Sequence, residues 1–377
     1  MNDDTPAALP DRLRALPWSM ILTVVALGAF GFIGLYSAAG GSLTPWAFNH
    51  GVRFGVMLLM MLVIAHIDIT VWARFAYPAY GIILILLLAV EIAGDLGMGA
   101  QRWIDLGIIR LQPSEFMKIA VILALARYYH FLPRGYLESP QAVWSPLLMI
   151  AVPFLLVAMQ PDLGTGLMIA FGGTAMLFLA GVRLRWFVGA LALAAAALPV
   201  AMSLMHGYQK KRIAIFLDPS SDPLGAGYHI TQSKIAIGSG GLFGKGFLNG
   251  TQGALEYLPE RETDFAFAMM VEEWGLFGGL LILAGFGFVI GWGISVALSA
   301  RSHFARLAAM GLTCTIAFYV AINTAMVMGL APVVGIPLPL ISYGGSAMLT
   351  LLMTLGILLS IARQRDRSTL GVGPSSL

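Results

Sequence analysis

Charge is scarce in this chain. Asp, Glu, Lys and Arg make up 11% of its 377 residues, against about a quarter in ordinary soluble domains. That scarcity excludes a water-facing surface over most of the length. Cysteine is almost missing, and Cys314, standing alone, rules out an internal disulfide. Neither sign of charge dominates: 22 basic and 19 acidic residues leave +3, too little to argue for nucleic acid as a partner. No internal repeat of about 20–50 residues is visible, which removes solenoids and propellers.

What the chain does have is apolar length. Hydrophobic residues reach 58% and mean hydropathy is +0.84. Nearly uncharged runs of about 18–25 residues recur, each long enough to cross a hydrocarbon core of roughly 30 Å. About ten such spans are predicted, centred near residues 28, 57, 84, 122, 152, 171, 195, 281, 317 and 352. The expected fold is an all-α polytopic membrane protein, one domain over residues 1–377, with a long extracytoplasmic loop between the seventh and eighth helices. The first run, Pro17–Ala38, follows Arg12 and Arg14 and ends in a sequence resembling a signal-peptidase site. It is too long for a signal core and more spans follow, so it reads as the first helix.

An even number of spans puts both termini on one side. If that side is cytoplasmic, the short inner segments collect Arg12, Arg14, Arg74, Arg127, Arg134, Arg183, Arg185, Arg301, Arg306, Arg363, Arg365 and Arg367. The short outer segments keep only Arg53, Arg102 and Arg110, as the positive-inside rule requires. Residues 1–16 and 364–377 are then cytoplasmic tails, and the polar segment 206–263 lies outside. Connections of that length are usually functional. Its Gly-Ser-Gly-Gly-Leu-Phe-Gly-Lys-Gly run (238–246) lacks the spacing and the strand-to-helix setting of a phosphate loop. A re-entrant or surface-lying loop is the expectation there.

The acids gather on the predicted outer side: Asp95, Asp105, Glu115, Asp162 and the 256–264 group, with Arg53, Arg102, Arg110, Lys118, Arg212 and Arg261 beside them. They line a polar cavity, or each reaches the headgroups on its own. Gln-Pro-Ser-Glu-Phe-Met-Lys (112–118) reads as a helix start, with Pro113 first and Glu115 in the opening turn. Capping accounts for Pro113 and Glu115. It does not account for Lys118, three residues on and able to pair with Glu115. Gln-Pro-Asp-Leu-Gly-Thr-Gly (160–166) is a second start, with Asp162 in its first turn. In Gly-Ala-Gln-Arg-Trp-Ile (99–104), Trp103 suits an aromatic belt and Arg102 a carboxylate or pyrophosphate.

Leu-Pro-Glu-Arg-Glu-Thr-Asp-Phe (258–265) crowds Glu260, Arg261, Glu262 and Asp264 at the lip of a membrane helix, where charge is costly unless it has a use. Glu272 and Glu273 lie about two turns deeper and require protonation or cationic partners. Asp264 is placed to stay accessible and to take a proton from an attacking hydroxyl. The helix N-terminus lowers its pKa while loss of water raises it, and the sequence leaves that balance open.

Taken in order, the segments at 99–104, 112–118, 160–165, 216–219 (Phe-Leu-Asp-Pro), 258–265 and 339–346 (Pro-Leu-Ile-Ser-Tyr-Gly-Gly-Ser) resemble the SEDS family of bacterial membrane glycosyltransferases, over nearly the whole chain. Asn-Gly-Thr-Gln (249–252) with Leu-Pro-Glu-Arg is most similar to its elongation member, the division member being the nearest competitor. The resemblance implies inverting polymerisation of lipid II into glycan strands at the outer face of the cytoplasmic (inner) membrane. Undecaprenyl pyrophosphate leaves, and the strands serve cell-wall elongation and rod shape. It also implies a class B penicillin-binding protein as transpeptidase partner and other elongation-complex membrane proteins around it.

By motif, the family's essential aspartate maps to Asp264 and its functional tryptophan to Trp103. Substrate-binding positions map to Glu115, Lys118 and Asp162, with Arg53, Arg102, Glu260, Arg261 and Thr263 joining them. Glu262 departs from the histidine common in the family, which puts that neighbour's role in doubt. No cofactor is demanded, and a divalent cation, magnesium or manganese, is compatible with a pyrophosphate leaving group. A lipid II flippase and a non-catalytic scaffold stand as rivals. The flippase suits Glu272 and Glu273 but lacks a polar trail to the other side and an inverted repeat.

Overall fold

The computed structural model describes residues 16–93, 95–97, 100–105, 110–160, 162–204, 207–222, 225–254, 257–258 and 260–369. All ten expected spans are helices. They begin with α1 (Trp18–Ala38), α2 (Ala47–Ile64) and α3 (Ile69–Ala93). Three short strands follow, β1 (Asp95–Gly97), β2 (Ala100–Asp105) and β3 (Arg110–Leu111), forming an antiparallel patch in order β1-β2-β3. Then come α4 (Pro113–Phe131), α5 (Gln141–Met159), α6 (Leu163–Leu179) and α7 (Leu184–Leu204). The segment expected as a long loop carries α8 (Gly207–Leu217), α9 (Ala226–Gly240) and the single turn α10 (Thr251–Ala254). The chain closes with α11 (Ala266–Ser299), α12 (His303–Val327) and α13 (Gly345–Thr369).

Seven of these helices, α1, α2, α3, α5, α11, α12 and α13, are long and apolar enough to cross a membrane among the described residues. The other three span positions have visible reasons for falling short. Helix α4 carries Glu115, Lys118 and Arg127, and α6 is only 17 residues long. The apolar part of α7 counted as a span candidate is likewise short, Leu184–Ala197.

Helix α4 packs against α3, α5, α6, α12 and α13 and is buried over most of its length. That is why it tolerates charge: its polar side chains face other helices instead of lipid. The apolar surface points the other way. Val56, Leu59, Ile85, Leu191 and Leu281 are all exposed, as a lipid-facing rim requires.

The glycine run at 238–246, expected as a re-entrant or surface-lying loop, docks into a break in helix α11. Helix α11 breaks at Gly275, whose φ of 69° leaves the helical region. The freed carbonyls of Glu272 and Glu273 accept from the N–H groups of Lys245 and Gly246, each at 3.0 Å. Leu276 and Phe277 N–H donate to the Gly241 and Leu242 carbonyls at 2.9 and 3.2 Å. The loop thus replaces the helix's own hydrogen bonds across the break. Only glycine fits at the crossing, because a Cβ on Gly275 would stand 2.3 Å from the Gly244 nitrogen.

Candidate functional site

The turn before α11 is built around Glu260, which takes a left-handed φ of 57° although it is not glycine. Its carbonyl accepts from Thr263 N at 3.1 Å and Phe265 N at 3.2 Å. Its side chain accepts from Thr263 Oγ1 at 2.7 Å. Such conformations persist where surrounding structure over-determines them, and here three anchors do so. Tyr343 N donates to the Glu262 carbonyl at 2.6 Å. The fully buried Asn323 of α12 donates Nδ2 to the Asp264 carbonyl at 3.0 Å and to the Ile336 carbonyl at 2.8 Å. Arg261 donates to the Gly253 carbonyl and lies 5.9 Å from the Trp46 ring centroid.

These anchors hold the backbone and leave the Asp264 carboxyl to its surroundings. It is partly exposed, two residues before the first residue of α11. Its pKa is pushed up to about 6, first by loss of water and then by neighbouring Glu260, with Arg212 pulling the other way. Desolvation therefore wins the balance that the sequence leaves open. The opposing wall is Gly335, at φ 73°, where a Cβ would lie 3.6 Å from Asp264 Oδ2. Arg53, exposed on α2, stacks its guanidinium 5.1 Å above the ring centroid of Tyr343, the residue whose N–H holds Glu262. The structure thus brings Asp264, Glu260, Thr263, Arg261 and Arg53 around one turn and its supporting residues.

A second group lies buried between α4, α12 and α13. Lys118 Nζ donates to Glu115 Oε1 at 2.7 Å and to the Tyr319 hydroxyl. Tyr319 in turn donates to Glu115 Oε2 at 2.8 Å, and Thr350 Oγ1 does so at 3.0 Å. Glu115 and Lys118 are only 6% and 3% exposed, so each is the other's necessary partner. Tyr319 and Asn323 are four apart on α12 and share a face. One face of α12 therefore carries both a partner of the buried ion pair and the anchor of the Asp264 backbone.

Asp162 is the N-cap of α6, one position earlier than the first turn expected for it. Its Oδ1 accepts from Thr165 N at 3.2 Å and its Oδ2 from Gln112 Nε2 at 2.9 Å. Trp103 lies half-buried on β2, paired with Asp95. Arg102 is on the same strand, and its side chain lies outside the described residues, as do those of Asp105 and Arg110.

Glu272 is saturated. Its Oε1 accepts from Lys245 Nζ at 2.6 Å and from Thr251 N and Oγ1 at 2.9 Å each, and Gln252 N reaches both carboxylate oxygens. Glu273 accepts from Ser37 Oγ and lines a cavity of about 230 Å³ with Arg261, Gly250 and Gly253. Asp264 is not in that lining. Among the described residues no group of three or more His, Cys, Asp or Glu is placed to hold a metal ion.

Tyr319, Asn323 and Thr350 are supporting residues that motif reading passes over, and Tyr343 stands in the 339–346 segment, which gives no sign of its role. The four-residue spacing of Tyr319 and Asn323 inside an apolar helix was the available signal for two of them.

Comparison with known proteins bears on this geometry. The family model for FtsW, RodA and SpoVE, described as cell cycle protein, matches residues 17–367. Peptidoglycan glycosyltransferase MrdB of Escherichia coli K12 is 47% identical over 357 residues, covering 94% of this chain and 95% of that protein. A chain from a structure titled "Structural coordination of polymerization and crosslinking by a peptidoglycan synthase complex" superposes with a TM-score of 0.81 at 30% identity, over 93% of this chain and 98% of that one. The rod shape determining protein RodA of Thermus thermophilus superposes with a TM-score of 0.70 at 29% identity, over 93% and 97%.

Proposed function

The chain belongs to the FtsW/RodA/SpoVE family, and from that premise we propose that it polymerises lipid II at the Asp264 turn, on the outer face of the inner membrane. The chain is a peptidoglycan glycosyltransferase, of the MrdB/RodA kind. The observation that carries the assignment of chemistry to Asp264 is its carboxyl. It is held on a strained, three-point-anchored turn with a pKa raised to about 6, close to the optimum for a general base near neutral pH.

In the proposed step, the ionised Asp264 takes the proton of the acceptor sugar hydroxyl as its oxygen attacks the donor's anomeric carbon. A glycosidic C–O bond forms, the bond to pyrophosphate breaks, and the proton passes from Asp264 to water. Arg212, which acts on the Asp264 carboxyl, and Arg53, stacked on Tyr343 beside the turn, offset the leaving charge, the kind of electrostatic help that is commonly a large term. Lys118, expected among the substrate-binding residues, is committed to Glu115 and Tyr319. We assign the pair a positioning role beneath Asp264. Among the described residues no group of three His, Cys, Asp or Glu is placed for a metal ion, so any magnesium or manganese would be held largely by the pyrophosphate oxygens that bring it.

The orientation proposed for the chain puts the Asp264 end outside and both termini inside, with a class B penicillin-binding protein as crosslinking partner in elongation. Glu272 and Glu273, the residues that suited a flippase, serve local clasps instead. The test is polymerisation of purified lipid II by Asp264→Asn. Loss of polymer with an intact fold is expected, and polymer at the wild-type rate would remove Asp264 from the chemistry.

A further inference from the structure

At the end of the bundle remote from Asp264, α3, α4 and α12 meet around a cavity of about 160 Å³. Ser302, the N-cap of α12, lines it, whereas Asn323, which holds Asp264, sits near the other end of that helix. The intervening rise of roughly 30 Å places cavity and catalytic turn on opposite membrane faces.

The lining joins Arg74, Arg127 and His130 to the apolar Ile69, Phe131 and Phe304, and no carboxylate belongs to it. Asp68, the neighbouring acid, is turned to its own helix start, accepting from Thr70 N at 2.9 Å and Thr70 Oγ1 at 2.8 Å. Arg127 is folded back on the bundle. Its Nη1 donates to the Ala73 carbonyl at 2.6 Å and the Arg74 carbonyl at 2.5 Å, and its guanidinium lies 4.9 Å from the Tyr77 ring centroid. His130 Nδ1 is buried with no hydrogen-bond partner, and its ring stands edge-on to Phe304 at 6.5 Å. The positive end of the α12 dipole adds to the same field.

An arginine that merely snorkels extends away from the bundle into the headgroups. Arg127 does the reverse, fixed as one wall of a cavity beside an imidazole nitrogen that lacks a partner. We propose that this cavity binds a phosphate-ester anion, the chemistry of an anionic phospholipid headgroup. Arg74, Arg127 and His130 would face the phosphate, and Phe131 and Phe304 the start of an acyl chain. Basic pockets between membrane helices suit such headgroups. Occupancy ties together the ends of α3, α4 and α12. Two of these helices carry Glu115–Lys118 and Asn323 at their far ends.

The test uses the full chain, delipidated in neutral detergent, with phosphatidylglycerol, phosphatidylcholine or inorganic phosphate added. Lipid retention is read by native mass spectrometry and melting temperature by thermal unfolding. Arg74→Gln and His130→Gln are the variants, because Arg127 also pins α3 and its loss could unfold that corner. Retention of phosphatidylglycerol over phosphatidylcholine is expected, with affinity about fivefold weaker in Arg74→Gln, since a basic side chain near an anionic surface contributes about 1 kcal/mol. A rise in melting temperature with inorganic phosphate but no lipid retention would assign the same anion site to soluble phosphate. Equal retention of both lipids without a phosphate effect, or phosphatidylglycerol binding unchanged in both variants, would overturn the proposal.

Discussion

Asp264 and Glu272 sit eight residues apart at the start of one helix, and the structure treats them in opposite ways. Glu272 receives a lysine, a threonine hydroxyl and two backbone N–H groups. Asp264 has its backbone carbonyl held by Asn323 while its carboxyl is left with Glu260 as the acidic neighbour and little water. A carboxylate held by several donors is stable and chemically quiet. One deprived of water and partners is costly and basic. The difference in partners separates the structural acid from the one proposed to be catalytic.

The sharpest way to break this comparison is to neutralise each acid in turn. Asp264→Asn is expected to lower lipid II polymerisation by about 10²–10⁴-fold, the usual share of a general base, measured as initial rate of glycan formation. Its melting temperature should stay level or rise, because the substitution removes a charge the site resists. Glu272→Ala should do the converse. It strands Lys245 and the N–H groups of Thr251 and Gln252, costing roughly 3 kcal/mol by the scale for broken buried pairs, read by thermal unfolding. Equal melting temperatures for the two variants would erase the distinction.

The buried ion pair offers a second test of how partners set the cost of a buried acid. Lys118→Met leaves Glu115 without its cation and should cost about 3 kcal/mol, whereas Glu115→Gln with Lys118→Met should recover most of that loss. A double-mutant cycle on melting temperature measures the coupling. Smaller still is Gly275→Ala, which places a side chain at φ 69° and against Gly244. A non-glycine residue in this sparsely populated positive-φ region costs about 1–3 kcal/mol before any clash, and limited proteolysis of the 241–246 loop should report its release.

Much of this arrangement is legible in the sequence. Ten apolar runs locate ten helices because the bilayer dictates their length. The Pro113 and Asp162 helix starts follow from backbone chemistry at N-termini. Glu115 and Lys118 announce their pairing through three-residue spacing. What the sequence hides is long-range satisfaction. Nothing near Glu272 says that Lys245 and Thr251 will reach it, since a loop far along the chain must first dock into the break at Gly275. The same holds for Tyr319, Thr350 and Tyr343, whose partners are on other helices. The pKa of Asp264 was undecidable for that reason, as dipole and desolvation act in opposite directions and only packing ranks them.

That ranking is also where the account is most exposed. A pKa raised from 3.8 to about 6 means that ionising Asp264 opposes folding. Native stability from this group is therefore greatest below the unfolded value and declines as pH rises towards 6. Activity runs the other way, because only the carboxylate accepts a proton. The direct measurement is the pH profile of lipid II polymerisation by wild type and by Asp264→Asn. The account predicts a wild-type rate that is half-maximal near pH 6 and falls tenfold per unit below it, with a flat residual rate in the variant. A wild-type rate unchanged from pH 5 to pH 8, or a variant with the same profile, would contradict it.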